Sequence, residues 1–418
     1  MNFCFVKCNR RVFVSACCFV LCALLAALCS CQPSSQSPSD TCRTTTDTLR
    51  YAQLLHIERA DSFVWVTVVH PWRPDEVLQS YVLVPKSAPL PSCKPQGRIV
   101  RTPLKRSIMH NAVHAYLTTL LSVDSCVVGV CDTPYLQSQA LKSRLSSSLW
   151  VDAGSSVQSN IERYMALGAD AVFVAPLEDV GFGALAHMNI PMVVCADYME
   201  STPLGRAEWM KFFGLLFDCE VQSDSLFKAI ESSYLHLQSQ TQSVSARPRV
   251  LLDLPMGANW YVPGGKSYVA QMFHDAGADY VFAHGETSGS VAYALEHVVN
   301  QGRDADFWLV KYAQPMPLTY SQLADENKLY TTFRAWREKR VFACNTLHSD
   351  YYEAVPFQPH LLLRNLVQLF HNQENSDSVS FKYFQPIADE VRESTSDRHW
   401  IGASSTLVDD GPTLDCCE

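Results

Sequence analysis

The sequence predicts an α/β protein with two Rossmann-like lobes, each built on a parallel sheet, joined by a single long α-helix and preceded by a small β-rich segment. Three observations support this prediction. Short apolar strand patterns alternate with helical patterns, the alternation restarts after residue 248, and a helical stretch without Gly or Pro separates the two halves. The chain has 418 residues, 47% of them hydrophobic, which is enough to bury two cores.

The first thirty residues have the pattern of an export signal. Lys7, Arg10 and Arg11 form a positive region, the apolar run 12–28 follows, and a polar stretch comes directly after it. The alternative is a transmembrane anchor, because the 17 residues of the run lie near the lower limit for crossing a hydrocarbon core of about 30 Å. In either case the folded part lies outside the cytoplasm.

The end of the apolar run carries a candidate lipidation site. In Leu28-Cys29-Ser30-Cys31 a small residue precedes the second cysteine, as in a lipobox, whereas bulky Leu28 precedes the first. We predict that residues 1–30 are a signal peptide, that Cys31 receives the lipid and that 31–48 form a tether; an uncleaved anchor and a soluble secreted product are the alternatives. Removal of 1–30 takes the net charge from −9 to −12, and this acidity disfavours a nucleic-acid partner.

The first lobe is predicted over 49–221, and it begins with the β-rich segment. Three short β patterns near 52–57, 63–70 and 78–85 predict a small antiparallel sheet at 49–86. Strands and helices then alternate. The predicted strands lie near 99, 126–131, 149–152, 171–176 and 192–197, and the predicted helices at 107–121, 136–145 and 157–167.

A helix is predicted between the lobes, within 222–245. Apolar residues recur there at spacings of three and four, at Phe227, Ile230, Tyr234 and Leu237. At 1.5 Å per residue, about 17 helical residues reach about 25 Å, so we expect a rigid connection that moves little on binding. The second lobe is predicted over 246–390 and a polar tail over 391–418. Its predicted strands begin near 250, 280, 307 and 341, and its helices cover 268–276, 291–300 and 360–370.

One pattern occurs once in each lobe. Glu162-x5-Gly168-x-Asp170-Ala171-x-Phe173 recurs as Glu296-x5-Gly302-x-Asp304-Ala305-x-Phe307. A shared helix–loop–strand arrangement accounts for the glycine, aspartate and phenylalanine. It does not account for the glutamate, beyond the small benefit of a negative charge at a helix N-terminus. We therefore predict duplicated lobes that each present one glutamate to a partner with two-fold symmetry.

The chain also resembles a known family. Three segments together resemble the helical-backbone periplasmic binding proteins. They are Ala196-Asp-Tyr-Met-Glu-Ser-Thr-Pro-Leu-Gly-Arg-Ala-Glu-Trp-Met-Lys-Phe-Phe-Gly214, Asn160-Ile-Glu-Arg-Tyr-Met-Ala-Leu-Gly-Ala-Asp170 and Arg98-Ile-Val. These proteins serve ABC importers of iron–siderophore complexes, haem and cobalamin. The resemblance covers roughly 95–385. The segment 49–86 and the polar tail depart from the family, and no role is predicted for either.

The resemblance implies a function and partners. The chain is expected to be a lipoprotein anchored to a membrane in the periplasm, to capture an iron–siderophore, haem or cobalamin-type ligand in the cleft between its lobes, and to deliver it to the permease. It is expected to be no enzyme and to hold no resident cofactor. Glu162 and Glu296 match the glutamates that the family presents to arginines of the membrane subunits.

Candidate ligand-binding residues follow from the predicted strands. Ligands of such folds lie outside the carboxyl ends of parallel strands. The loops predicted there contain Arg106, His110, Asp132, Tyr135, Trp260, Tyr261, His284 to Ser288, Lys311 and Tyr312. The predicted ligand-binding residues are Arg106, Tyr135, Trp260, Tyr261, His284 and Lys311. Aromatic rings suit a large planar or macrocyclic ligand. The alternative for Trp260 is that it covers the core of its lobe.

The sequence is also compatible with two other functions. His110 and His114 lie four residues apart in a predicted helix, so a binding protein of similar fold for a zinc or manganese ion is the first alternative. An exported α/β enzyme is the second, but the sequence contains no HExxH, CxxC or nucleophile-elbow motif. The run 264–267, Gly-Gly-Lys-Ser, resembles the end of a phosphate-binding loop, yet Trp260 occupies the position of the first required glycine. We therefore predict no catalytic residue and no resident metal.

Overall fold

A computed structural model describes residues 45–47, 49–92, 95–371 and 381–390. The predicted signal peptide, Cys31, nearly all of the tether and the tail at 391–418 lie outside these residues. None of the described helices is long and apolar enough to cross a membrane.

The β-rich segment is a five-stranded sheet in the order β1-β2-β3-β4-β5. Its strands are β1 Thr45–Asp47, β2 Leu55–Arg59, β3 Val64–Val69, β4 Val77–Pro85 and β5 Arg98–Thr102. The first four are antiparallel, and β5 runs parallel to β4. One face of the sheet packs into the core of the first lobe through residues such as Ile57, Val66 and Tyr81. We predicted that the segment near residue 99 is the first strand of the lobe. It forms β5 of this sheet instead, where it pairs with β4.

The first lobe contains a parallel sheet in the order β10-β9-β6-β7-β8. Its strands are β6 Ser107–Met109, β7 Val127–Cys131, β8 Val151–Gly154, β9 Ala171–Val174 and β10 Met192–Val194. Its helices are α1 Ala112–Leu120, α2 Gln139–Ser146, α3 Ile161–Ala166, α4 Pro203–Glu208 and α5 Met210–Phe217. The helix predicted from residue 107 starts only at Ala112, because Ser107–Met109 form the central strand and the Asn111 side chain caps the helix.

Helix α6, Glu220–Thr241, joins the lobes. Its 22 residues correspond to about 33 Å at 1.5 Å per residue. Phe227 and Ile230 pack in the core of the first lobe, and Tyr234 and Leu237 pack in the core of the second. The predicted joining helix is therefore confirmed, and each of its ends is fixed by a different core.

The second lobe contains a sheet in the order β13-β11-β15-β16-β17, parallel except for β17. Its strands are β11 Arg249–Leu252, β13 Asp279–Tyr280, β15 Phe307–Tyr312, β16 Val341–Asn345 and β17 Gln385–Pro386, beside a hairpin of β12 Trp260–Pro263 and β14 Ser290–Tyr293. Its helices are α7 Tyr268–Asp275, α8 Leu295–Gly302, α9 Tyr320–Glu326, α10 Arg334–Arg337, α11 Tyr351–Ala354 and α12 Pro359–His371. The helix predicted from residue 291 begins at Leu295, because the residues before it pair with β12.

The two lobes repeat one topology. Read from the opposite edge, the order β16-β15-β11-β13 corresponds to β10-β9-β6-β7, and β11 and β6 are each the first strand of their parallel sheet. The predicted fold class, two α/β lobes with parallel sheets, one joining helix and a preceding β-rich segment, is confirmed.

Candidate functional site

The carboxyl-end loops of the two sheets meet at a buried carboxylate. Glu353 of α11 accepts hydrogen bonds from the backbone N–H groups of Gln137 and Ser138, at N–O distances of 2.7 and 2.5 Å. Helix α11 follows β16, and these amides lie between β7 and α2. Phe357, just after α11, is buried in the core of the first lobe. The lobes therefore contact each other on the side where ligands of parallel sheets bind.

Glu353 is expected to hold the lobes in their relative position. Burial raises the pKa of Glu353, while the N–H groups of Gln137 and Ser138 act in the opposite direction. Replacement by glutamine removes the charge and one acceptor, so we expect Glu353→Gln to lower the free energy of unfolding by about 2 kcal/mol. Hydrogen exchange should accelerate at the two amides. The exposed carboxylate of Glu338 is the control, and Glu338→Gln should cost less than about 1 kcal/mol. Unchanged exchange in Glu353→Gln would contradict the assigned role.

A pocket of about 380 Å³ lies at the carboxyl ends of β6 and β9. Four of its lining residues are polar, namely His110, Asn111, Ser156 and Ser159, and the other ten are apolar or glycine. Most of the apolar residues come from the 174–185 segment, which follows β9. Because a pocket at this edge of a parallel sheet is the usual ligand position, it is the candidate binding site of the first lobe.

His110 lies at the base of this pocket and is nearly buried. Its Nε2 atom lies 3.0 Å from the Tyr164 hydroxyl, which in turn lies 3.4 Å from the Cys131 sulfur. Burial lowers the pKa of His110 to about 4, against a smaller opposing effect of Asp132, so the ring is neutral at pH 7. Burial likewise raises the pKa of Cys131 to about 11, which keeps it a thiol. The pocket therefore presents a neutral imidazole.

The two histidines weighed as metal ligands have separate partners. His110 precedes α1 instead of lying within it, and it contacts Tyr164. His114 lies in α1, where its Nε2 atom is 2.8 Å from the Asp197 carboxylate. Within the described ranges no group of three His, Cys, Asp or Glu side chains is arranged to hold a metal ion.

The corresponding edge of the second lobe carries an ion pair. The Lys311 ammonium, in β15, donates to the Asp253 carboxylate at 2.7 Å. Burial alone would lower the pKa of Lys311, but Asp253 raises it above its ordinary value. The ammonium also lies 5.9 Å from the centre of the Tyr351 ring. Lys311 is thus placed near the predicted edge, with its charge neutralised by Asp253.

Two predicted ligand contacts are corrected by the structure. Arg106 precedes β6 instead of following a strand, so it lies at the amino edge of the sheet, where its guanidinium donates to the Leu167 and Gly168 carbonyls. Trp260 is fully buried, packs against Trp308, and donates from its indole nitrogen to the Leu252 carbonyl at 2.9 Å. Trp260 therefore covers the core of its lobe, which was the alternative.

The remaining three predicted ligand residues are exposed. Tyr135 is 78% exposed after β7, Tyr261 is 41% exposed on β12, and His284 is exposed after β13. None of the six predicted ligand residues lines the pocket of the first lobe. The pocket segment after β9 was missed. The available signal was a run of apolar and glycine residues in a loop that directly follows a buried strand.

The paired glutamates occupy equivalent positions. Glu162 is the second residue of α3 and Glu296 the second residue of α8, and both are exposed. Helix α3 leads into β9 and α8 into β15, which are equivalent strands of the two sheets. Each lobe thus presents one carboxylate at the same point of its topology.

The rest of the repeated pattern is not equivalent. Asp170 accepts hydrogen bonds from the N–H groups preceding β6, and Asp306, not Asp304, accepts one from the N–H group of Arg249, the first residue of β11. Gly168 leaves its helix with φ 61°, whereas Gly302 is the last residue of α8. The reason is that α8 has eight residues and α3 has six, which shifts the following strand by two.

The stretch 196–214 fixes the chain between β1 and β2 of the β-rich sheet. Glu208 accepts from the N–H groups of residues 50, 51 and 52, and Glu200 accepts from those of residues 53 and 54 and from the Trp209 indole. Both carboxylates are buried. We call Glu200 and Glu208 the carboxylate clamp. Their role is to satisfy the backbone of 50–54, not to contact a ligand.

The same stretch also contacts the second lobe. Burial alone would raise the pKa of Asp197, but His114 and Arg206 hold it below its ordinary value. Arg206 donates to Asp197 at 3.1 Å, and its guanidinium lies 5.0 Å from the centre of the Tyr268 ring, at the start of α7. A buried ion pair of the first lobe thus packs on the second.

Residues 153–346 match a family model described as periplasmic binding protein. Two curated relatives are uncharacterized lipoproteins of Methanocaldococcus jannaschii. One is 27% identical over 315 residues, which are 71% of this chain and 73% of the relative. The other is 23% identical over 323 residues, which are 75% and 81%.

Solved structures share the fold. A molybdate periplasmic binding protein of Haemophilus influenzae, bound to molybdate, has a TM-score of 0.53 and 20% identity, over 67% of this chain and 90% of its own. A protein of an Fe3+-hydroxamate transport system from Saccharomonospora viridis has a TM-score of 0.52 and 18% identity, over 64% and 94%. A periplasmic haem-binding protein of Vibrio cholerae has 0.51 and 14%, over 63% and 98%.

Proposed function

We propose that this chain is the substrate-binding lipoprotein of an ABC importer. The proposal starts from two similarities to periplasmic binding proteins of the helical-backbone type, namely the family model that matches residues 153–346 and the fold of the solved structures. The protein captures an iron–siderophore, haem or cobalamin-type ligand between its lobes and delivers it to the permease. The observation that supports this most is the pocket of about 380 Å³ at the carboxyl ends of β6 and β9. All of its lining residues belong to the first lobe, and the second lobe contacts the loop after β7 through Glu353.

The location follows from the N-terminal pattern. Cys31 carries the lipid after removal of 1–30, and the folded part lies in the periplasm, anchored to a membrane. The two relatives described as lipoproteins support this assignment. Glu162 and Glu296, one exposed carboxylate from each lobe, bind the permease.

The assigned function requires no covalent chemistry. The groups around the pocket suit binding, because His110 is held neutral and Cys131 is held as a thiol. The zinc or manganese alternative has less support. Its two histidines contact Tyr164 and Asp197 separately, and no third ligand accompanies them in the described part of the chain.

Ligand binding to the full-length lipoprotein, purified in detergent, tests the proposal. The probes are a ferric trihydroxamate, haemin, cyanocobalamin, sodium molybdate, zinc and manganese, followed by visible spectra and calorimetry. We expect one chelate or the cobalamin to bind with a Kd of about 1 μM or below, near −8 kcal/mol. Stoichiometric zinc or manganese retained after dialysis, with no chelate bound, would establish the alternative instead.

A further inference from the structure

We infer that the pocket of the first lobe discriminates by charge: it accepts an uncharged or cationic, apolar-surfaced metal chelate or macrocycle and rejects an anionic one, with His110 as its specificity-determining polar contact. This inference rests on the proposed function and narrows its ligand class.

The pocket lining offers no cationic side chain to an anion. It contains no Lys, Arg, Asp or Glu. The nearest acids in sequence are Glu178 and Asp179, both exposed, and the carboxylate of Asp132 accepts hydrogen bonds from the N–H and hydroxyl of Ser156, which lines the pocket. An anion entering the pocket would lose water without gaining a cationic side chain, and it would approach the Asp132 carboxylate bound to Ser156. Burial of an unpaired charge is strongly unfavourable.

Lys311, at this edge of the second lobe, does not supply the missing cation. Lys311 is bound to Asp253, and its side chain is only 17% exposed. A ligand anion would have to compete with the Asp253 carboxylate at 2.7 Å for this ammonium. The exposed Arg163 lies in α3 and is not part of the pocket lining.

The surface around the pocket is apolar and uncovered. Val157, Leu177 and Val180 line the pocket and are 90%, 60% and 59% exposed. Three large apolar side chains exposed around one concave site are typical of a surface that a ligand covers. Apolar contact and the absence of cations together favour a ligand whose outer surface carries hydrocarbon and whose net charge is not negative.

His110 supplies a polar contact without a charge. Its Nε2 atom is engaged by the Tyr164 hydroxyl, and in the described part of the chain no partner of Nδ1 is found. If Tyr164 donates to Nε2, then Nδ1 carries the proton and donates. If Nε2 donates to Tyr164, whose hydroxyl then donates to the Cys131 sulfur, Nδ1 accepts. The ring thus offers a donor or an acceptor, and in both cases it is neutral.

Matched pairs of probes test the discrimination by charge. The first pair is a neutral ferric trihydroxamate and a ferric tris-catecholate of charge −3, and the second is haemin dimethyl ester and haemin; cyanocobalamin and molybdate complete the set. We expect the trihydroxamate to bind at least about 100-fold more tightly than the tris-catecholate, the ester to bind at least as tightly as haemin, and molybdate not to bind. If cyanocobalamin is the ligand, it alone of the set binds, and this also supports the inference.

Preferential binding of the tris-catecholate over the trihydroxamate, or of haemin over its ester, would overturn this inference and leave the proposed function standing. Preferential binding of molybdate would overturn both the inference and the ligand class of the proposed function. Absence of binding by every probe would overturn the proposed function and the inference with it.

A substitution at the rim of the pocket tests the inference through a gain in affinity for anions. Leu177→Lys places a cation at an exposed position, so we expect at least a tenfold gain in affinity for the anionic member of each pair. Leu149→Lys is the control, because Leu149 is similarly exposed, at 51%, just before β8 and outside the pocket lining. Equal effects of both variants, or none for Leu177→Lys, would contradict the inference.

The role of His110 is tested by His110→Phe, which keeps an aromatic ring and removes both nitrogens. We expect about tenfold weaker binding of the preferred uncharged probe, with an unchanged circular dichroism spectrum. Unchanged affinity in a folded His110→Phe protein would overturn the assigned contact, while the Leu177→Lys result still tests the discrimination by charge.

Discussion

Simultaneous replacement of Glu162 and Glu296 by alanine is expected to abolish uptake of the ligand and to leave its affinity unchanged. Each carboxylate is exposed at the second position of a helix, in topologically equivalent places of the two lobes, and neither lines the pocket. Close charge pairs at protein interfaces contribute about 1.5 kcal/mol or more each, so we expect about a tenfold loss for each single variant and a hundredfold loss for the double variant.

Uptake by whole cells, beside calorimetry on the purified variants, checks this prediction. Glu76→Ala and Glu326→Ala are the matched controls, because both residues are exposed glutamates outside the equivalent helices. Their uptake should match that of the unmodified protein. Replacing both Glu162 and Glu296 by arginine should abolish uptake as well, and charge reversal of the opposing permease residues should restore it. Normal uptake by the double alanine variant would refute docking through these two residues.

The second large effect concerns stability. Glu208 is fully buried, and its carboxylate accepts from the N–H groups of residues 50, 51 and 52 and from the Lys211 ammonium. In Glu208→Ala these donors lose their acceptor inside the protein. We expect a loss of about 3–5 kcal/mol in the free energy of unfolding, the range for breaking a buried charged contact.

Chemical denaturation measures this loss, and limited proteolysis locates it. Trypsin should cut after Arg50 in Glu208→Ala well before the remainder of the fold is attacked. Glu220→Ala is the control, since Glu220 also binds an arginine of the β-rich sheet, Arg59, but is 41% exposed. Its cost should stay below about 1 kcal/mol. Equal losses in the two variants would show that the carboxylate clamp contributes no more than a surface ion pair.

The architecture was predictable where one periodicity extends over many residues. The alternation of strand and helix patterns marked both lobes, and the spacing of Phe227, Ile230, Tyr234 and Leu237 marked α6. These four residues indeed pack in the two cores. The pairing of Glu162 with Glu296 was predicted from the repeated pattern that follows each glutamate, and the two glutamates are equivalent although the strands after their helices are offset by two residues.

The sequence pattern did not predict the short elements and the loops correctly. β6 has three residues, too few to distinguish it from the first turn of a helix, and this error displaced Arg106 to the wrong edge. Trp260 followed a buried strand, but the β12–β14 pairing that turns it inward joins residues some thirty positions apart. The pocket depends on which loops of the lobe converge at one strand end, and a periodicity within one segment carries no such information.

The carboxylate clamp has a mechanical consequence. If Cys31 carries the lipid, as proposed, a force between membrane and fold reaches the described chain first at β1, a strand of three residues that pairs with β2. Under force, the hydrogen bonds of such a strand break one after another. The next point of resistance is the segment 50–54, where five backbone amides are held at once by Glu200 and Glu208. Under the proposed anchoring, the carboxylate clamp is therefore expected to resist a force on the tether before that force reaches either lobe.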